Sequence, residues 1–82
     1  MTEQEVTEEA RAVLVRRLKV DPSEITPETS IEELGVDSLD LVTIAGEFEE
    51  VFSIAIPTKE IIKIRTFGDI VRQLSTRVGS AA

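Results

Sequence analysis

The sequence predicts an all-α fold: a small four-helix bundle of three main helices and one short helix, with a long first loop. Three observations carry this. Apolar residues recur at helical spacing in three separate stretches. Each stretch opens on a Thr or Asp suited to an N-cap. No repeat, linker or strand-like alternation interrupts the 82 residues, which suffice for one domain. That domain is expected over residues 1–78, with residues 79–82 as a flexible C-terminal tail.

The first helix is expected after Thr2, because Thr2-Glu3-Gln4-Glu5 fits a capping box. Val6, Ala10, Val13, Leu14 and Leu18 then share one face. Arg11, Arg16, Arg17 and Lys19 lie in or near the last turns, where cations suit the helix dipole. Asp21-Pro22 is expected to stop the helix.

Residues 20–36 form the long connection. Pro22 and Pro27 rule out a regular helix across it, and Ile25, Ile31 and Leu34 are expected to pin it to the core. Ser30-Ile31-Glu32-Glu33 fits one capped turn closed by Gly35.

Asp37 opens the second helix, with Asp40 in the capping-box position. Its expected buried stripe is Leu39, Val42, Ala45, Phe48 and Phe52, with Leu41, Ile44 and Val51 at the margins. Gly46 inside it costs ~1 kcal/mol relative to Ala. Ile56-Pro57 breaks the pattern. Thr58 is expected to cap a short third helix through about residue 64. Thr66 caps a fourth, with Phe67, Ile70, Val71, Leu74 and Val78 at helical spacing.

Composition narrows the function. There is no cysteine and no histidine. Thiolate chemistry, disulfides, Ser-His or Cys-His nucleophile pairs and the usual imidazole zinc site are all excluded. No catalytic residue and no metal ligand set is therefore expected, nor an Asp-x-Asp-x-Asp-Gly calcium loop. No apolar run approaches the ~20 residues that span a bilayer, and the N-terminus is acidic rather than basic. The expected location is the cytoplasm, without membrane insertion.

The net charge of −7 argues against nucleic acid. Residues 20–58 carry ten Asp or Glu and no Lys or Arg, interleaved with apolar residues. An acidic folded surface that steers the domain toward basic partners is expected.

The Asp37-Ser38-Leu39-Asp40 run carries the candidate chemistry. With Asp37 as cap, Ser38 becomes the first helical residue, its hydroxyl facing solvent beside free amides and the positive dipole end. Such a setting tolerates a phosphodiester. Taken alone, a Ser beside an Asp also marks an ordinary helix start.

The whole run Thr29-Ser30-Ile31-Glu32-Glu33-Leu34-Gly35-Val36-Asp37-Ser38-Leu39-Asp40 resembles the modification segment of acyl carrier proteins. The likeness continues through Val42, Glu49-Glu50, Phe52, Ile56-Pro57 and Lys63-Ile64, and covers nearly the whole chain. It implies a four-helix carrier that is not an enzyme, with 4′-phosphopantetheine moved from coenzyme A onto Ser38 by a phosphopantetheinyl transferase. Asp37 would cap the helix and help to place the transferase-bound Mg²⁺. The arm's thiol would hold acyl groups as thioesters for acyl-transferring and acyl-modifying enzymes with basic docking patches, in fatty-acid, polyketide or related lipid biosynthesis. The carrier is expected to act as a monomer.

The resemblance also suggests a docking face of Leu39, Asp40, Thr43, Gly46, Glu47, Glu49, Glu50 and Ile62. The acidic members read equally as a solvated helix face, and Leu39 as either a partner anchor or core. Housekeeping fatty-acid carriers usually have Glu at the position of Thr43 and a bulky apolar residue at that of Gly46. They are also more acidic around Thr58, Lys59, Ile61 and Ile62. These departures point to a specialised carrier. A peptidyl or aminoacyl carrier and an unmodified acidic interaction module remain alternatives; Asp37 and Asp40 favour acyl cargo over amino acids.

Overall fold

In the computed structural model, which describes residues 2–80, four helices follow in order: α1 (Glu3–Leu18), α2 (Ser38–Phe52), α3 (Thr58–Ile61) and α4 (Phe67–Ser80). Among the described residues there is no β-strand, only one isolated bridge, Ser30–Thr66. Helix α1 packs on α4 and α2, and α2 also meets α3 and α4. The all-α expectation with one short helix and a long first loop holds.

The capping box of α1 forms as the sequence implies. Thr2 Oγ1 accepts from the Glu5 amide at 3.1 Å, and Glu5 Oε1 accepts from the Thr2 amide at 2.9 Å. Val6, Ala10, Val13 and Leu14 are buried. The stop differs from expectation. Lys19 closes α1 in the left-handed region (φ 57), donating its amide to the Val15 carbonyl at 2.8 Å, before Asp21-Pro22 is reached. Asp21-Pro22 instead opens a separate 3₁₀ turn, Pro22–Glu24, where a proline suits the first turn. Arg11 serves the core more than the dipole. Its Nε donates to the Ile25 carbonyl at 3.1 Å and its guanidinium lies 5.5 Å from the Phe67 ring centroid.

The long loop is tied down at both chemical levels. Ile25 and Ile31 are buried and Leu34 is half-buried. A backbone ladder joins the loop to the start of α4. The Phe67 amide donates to the Thr29 carbonyl, the Gly68 amide to Pro27, and the Ile31 amide to Arg65, each at 2.9 Å. Gly68 permits this approach, since a Cβ there would fall 2.9 Å from the Pro27 oxygen. Ser30 and Glu33 cap the turn Glu32–Leu34, and Gly35 closes it at φ 79.

Two further expectations are corrected. In α2 the buried residues are Leu41, Ile44, Ala45 and Phe48, with Phe52 half-buried. Leu39 (78% exposed), Val42 (47%) and Val51 face solvent. The helix carries two overlapping apolar stripes that share residues 45, 48 and 52, so periodicity alone does not fix which one turns inward. At α3, Pro57 occupies the N-cap position and Thr58 is the first helical residue, with no side-chain cap. The helix ends at Ile61 rather than near residue 64. Thr66 does cap α4: its Oγ1 accepts from the Asp69 amide at 3.2 Å, and Asp69 Oδ2 accepts from the Thr66 amide at 3.1 Å. Helix α4 runs through Ser80, two residues into the expected tail. No proline intervenes, and a glycine weakens a helix without breaking it. Ala81 and Ala82 lie outside the described residues.

Candidate functional site

The loop and α2 meet at a corner built around Ser38. Asp37 is the N-cap, in extended backbone, and its Oδ1 accepts from the Asp40 amide at 2.8 Å. Asp40 Oδ2 reaches back to the Asp37 amide at 3.5 Å, the outer limit of a hydrogen bond. Val36 just before the cap and Leu41 in the first turn are both buried. They occupy the two positions of a hydrophobic staple, which fixes the angle at which the chain enters the helix. The sequence reading missed Val36; a lone valine between Gly35 and Asp37 carries no periodic signal.

Ser38 is therefore the first residue of a helix whose start is held by a capping box and two buried neighbours. It is exposed, and its hydroxyl has no hydrogen-bond partner among the described residues. The Ser38 and Leu39 amides lie in the first turn, where amides lack intrahelical acceptors. An open groove of about 720 Å³ runs from Ser38 across to α3 and the start of α4, with Ile31, Val36, Leu41, Ile62 and Ile64 among its walls.

The expected docking residues divide into distinct environments. Leu39, Thr43, Gly46 and Glu50 follow one another at i, i+4, i+7 and i+11 and form the outward line of α2. Leu39, Thr43 and Glu50 are exposed and Gly46 is half-buried with open space where a Cβ would stand. Asp40 and Glu47 lie on the flank toward α1. Glu47 Oε2 accepts from Arg16 at 2.6 Å and its Oε1 from Arg17 at 3.0 Å. The Arg16 hydrogen bond, with the second arginine, holds the Glu47 carboxyl below the usual carboxylate range despite partial burial. Glu49 lies on the opposite flank, and its Oε2 accepts from the Ile56 amide at 2.7 Å. That bond anchors the chain leaving α2. Across the groove, Ile61 is buried while Ile62 is 71% exposed.

Sequence reasoning missed the partners of Glu47 and Glu49, since both bonds join segments remote from the acid's own helical turn. Among the described residues no group of His, Cys, Asp or Glu is placed to hold a metal, and no helix is long and apolar enough to cross a membrane.

A family model described as a phosphopantetheine attachment site matches residues 8–74. An acyl carrier protein of Wolinella succinogenes is 42% identical over 72 residues, covering 87% of this chain and 95% of that protein. One of Helicobacter hepaticus is 48% identical over 65 residues, covering 78% of this chain and 86% of that protein. The chain belongs to the acyl carrier protein family. The crystal structure of an acyl carrier protein from Thermotoga maritima superposes with a TM-score of 0.84 at 22% identity, covering 98% of this chain and 94% of that one, which establishes the shared fold.

As a family member the chain is a carrier of acyl groups and not an enzyme. Its prosthetic group is 4′-phosphopantetheine, and its role implies acyl-handling enzymes as partners. The residues at the start of α2 fit that group. A phosphodiester needs a hydroxyl that is free of internal hydrogen bonds and an environment that accepts negative charge; Ser38 Oγ and the first-turn amides supply both. The groove beside them offers apolar wall to the uncharged remainder.

Proposed function

We propose that Ser38 is the attachment point of the arm and that the outward line of α2 is the surface on which partner enzymes dock. The supporting observation is the Ser38 hydroxyl itself: exposed, without an internal partner, and mounted on a helix start that its own removal would leave intact. Ser38 is an acceptor. Its oxygen forms the phosphodiester while the nucleotide part of coenzyme A leaves. A chain with no histidine and no cysteine relies on the transferase for the base and the Mg²⁺. Asp37, already fixed as the cap, lies next to the phosphorylated oxygen and assists that Mg²⁺.

Docking then rests on Leu39 as an apolar anchor beside Ser38, on the exposed Glu50, and on Ile62 across the groove, while the carboxylates on the flanks of α2 add to the acidic field around it. A transferase and acyl-modifying enzymes with basic patches are the partners. Thr43 and Gly46 leave the middle of the outward line without charge or bulk, which suits a specialised lipid or polyketide route more than housekeeping fatty-acid synthesis. The carrier works as a monomer in the cytoplasm.

Intact mass after incubation with coenzyme A, Mg²⁺ and a broad-specificity phosphopantetheinyl transferase tests the attachment. The wild-type chain gains one phosphopantetheine. Ser38→Ala gains none, and its circular dichroism matches wild type because Asp37 supplies the cap. A Ser38→Ala chain that is still modified sinks the assignment.

A further inference from the structure

We infer that Arg16 and Arg17 silence Glu47 as a docking residue, so that the flank of α2 facing α1 selects against partners that place a cation there and favours those that place an anion. This deepens the docking reading above and rests on it. The starting observation is geometric. Both oxygens of Glu47 are occupied, one by each guanidinium, at 2.6 and 3.0 Å. The Glu47 side chain is only 21% exposed, whereas that of Arg16 is 64% exposed. A partner approaching this corner therefore meets guanidinium before carboxylate.

Local charge points the same way. Arg16, Arg17, Asp40 and Glu47 line one open groove between the end of α1 and α2. Two carboxylates from the acidic segment 20–58 and two guanidiniums from α1 leave this flank without net charge. Asp40 is itself turned back to the Asp37 amide. Each guanidinium has five N–H donors, and its bond to Glu47 uses one of Arg16's and one of Arg17's. The two side chains are 64% and 40% exposed, so the remaining donors are open to a carboxylate on the partner. A partner lysine would have to displace an arginine from Glu47 and would be repelled by it. Exposed pairs are individually weak, yet they shift affinity by about 1.4-fold to fivefold.

The test measures the dissociation constant for a broad-specificity phosphopantetheinyl transferase that has a basic docking surface, at low and physiological salt. Unmodified wild type is compared with Glu47→Gln, Glu50→Gln, the double variant Arg16→Ala/Arg17→Ala, and the triple variant that adds Glu47→Gln. In wild type, Glu50→Gln should weaken binding by about threefold and Glu47→Gln by less than about 1.5-fold. Removing both arginines should tighten binding by about threefold, and adding Glu47→Gln should then reverse that gain. NMR titration of the Glu47 carboxyl supplies a check independent of the transferase: its midpoint should rise toward the ordinary glutamate value in the double variant. If Glu47→Gln weakens wild-type binding as much as Glu50→Gln, or if arginine removal weakens binding, the inference is overturned while the docking face stands. If Glu50→Gln has no effect and affinity is independent of salt, the docking face itself falls, and the inference with it.

Discussion

Alanine substitutions at the two glycines that lie within α2 and at the start of α4 should move stability in opposite directions. At Gly46 an added Cβ meets nothing within 4 Å. Ala there gains only the backbone-entropy difference, about 0.5–1 kcal/mol. At Gly68 the Cβ would fall 2.9 Å from the Pro27 carbonyl oxygen and 3.6 Å from the Pro27 Cβ. The same oxygen accepts the Gly68 amide at 2.9 Å, and the bonds from Phe67 to Thr29 and from Ile31 to Arg65 flank it. The obstacle is backbone held in a ladder, so it cannot swing aside as a side chain would. Overpacking of this kind costs about 1–3 kcal/mol, against a propensity gain below about 1 kcal/mol. For a domain of this size 1 kcal/mol shifts Tm by about 4–8 °C. Gly46→Ala should raise Tm by about 2–8 °C and Gly68→Ala should lower it by about 4–15 °C. Scanning calorimetry of both variants at neutral pH decides the matter. A Gly68→Ala protein as stable as wild type would mean that the long loop is not anchored on α4 through this ladder.

Adjacent glutamates should behave differently: Glu49→Ala leaves the Ile56 amide without its acceptor and should cost about 1–3 kcal/mol in urea denaturation, while Glu50→Ala should stay within about 0.5 kcal/mol. Acid should destabilise the fold through Glu5, Asp21, Glu47, Glu60 and Asp69, whose folded values lie below the ordinary 4.5 for Glu and 3.8 for Asp. Their contribution is full well above those ordinary values and is lost progressively as pH falls past them and through the lowered ones, so the urea midpoint should be flat near neutrality and start to drop below about pH 5. Thr43→Glu with Gly46→Met restores a charge and an apolar knob to the outward line of α2. It should lower the Michaelis constant of a housekeeping ketosynthase by about tenfold; a wild-type chain that already matches a housekeeping carrier in that assay would show the two departures to be neutral.

Local chemistry was legible in the sequence wherever both partners lie within one turn. The capping boxes at Thr2 and Asp37, the Thr66 cap and the Gly35 turn closure all join residues three or four apart, and each formed as read. The C-cap of α1 was not legible, because the left-handed residue there is Lys19 rather than a glycine. The phase of α2 was not legible because the helix has more apolar residues than one face can bury. Only the position of α1, α3 and α4 determines that Leu41 and Ile44 turn inward while Leu39 and Val42 remain outside. At the site, the cap and the exposed serine could be read from Asp37-Ser38-Leu39-Asp40. The partners of Glu47 and Glu49 could not, since Arg16 lies 31 residues from Glu47 and Ile56 lies beyond the end of Glu49's helix.

That division bears on what an acidic stretch means. Of the ten carboxylates between residues 20 and 58, most are engaged in local structure. Asp21 and Glu24 cap one turn, Glu33 caps another, and Asp37 and Asp40 cap α2. Glu47 is clamped and Glu49 holds the Ile56 amide. Glu28, Glu32 and Glu50 are exposed, with no side-chain hydrogen bond among the described residues. A hydrogen-bonded carboxylate keeps its charge, so all ten contribute to the field that draws a basic partner inward over a Debye length of ~8 Å at physiological salt. Contact is different, because a partner lysine must find an oxygen whose existing bonds need not be broken. Along the outward line of α2 only Glu50 meets that condition. Under the proposed docking, long-range attraction and short-range recognition therefore fall to different residues. On the docking face proposed above, the acidity that is most visible in the sequence would govern how fast partners arrive, while Glu50, Leu39 and the arginine-guarded flank would govern which of them stay.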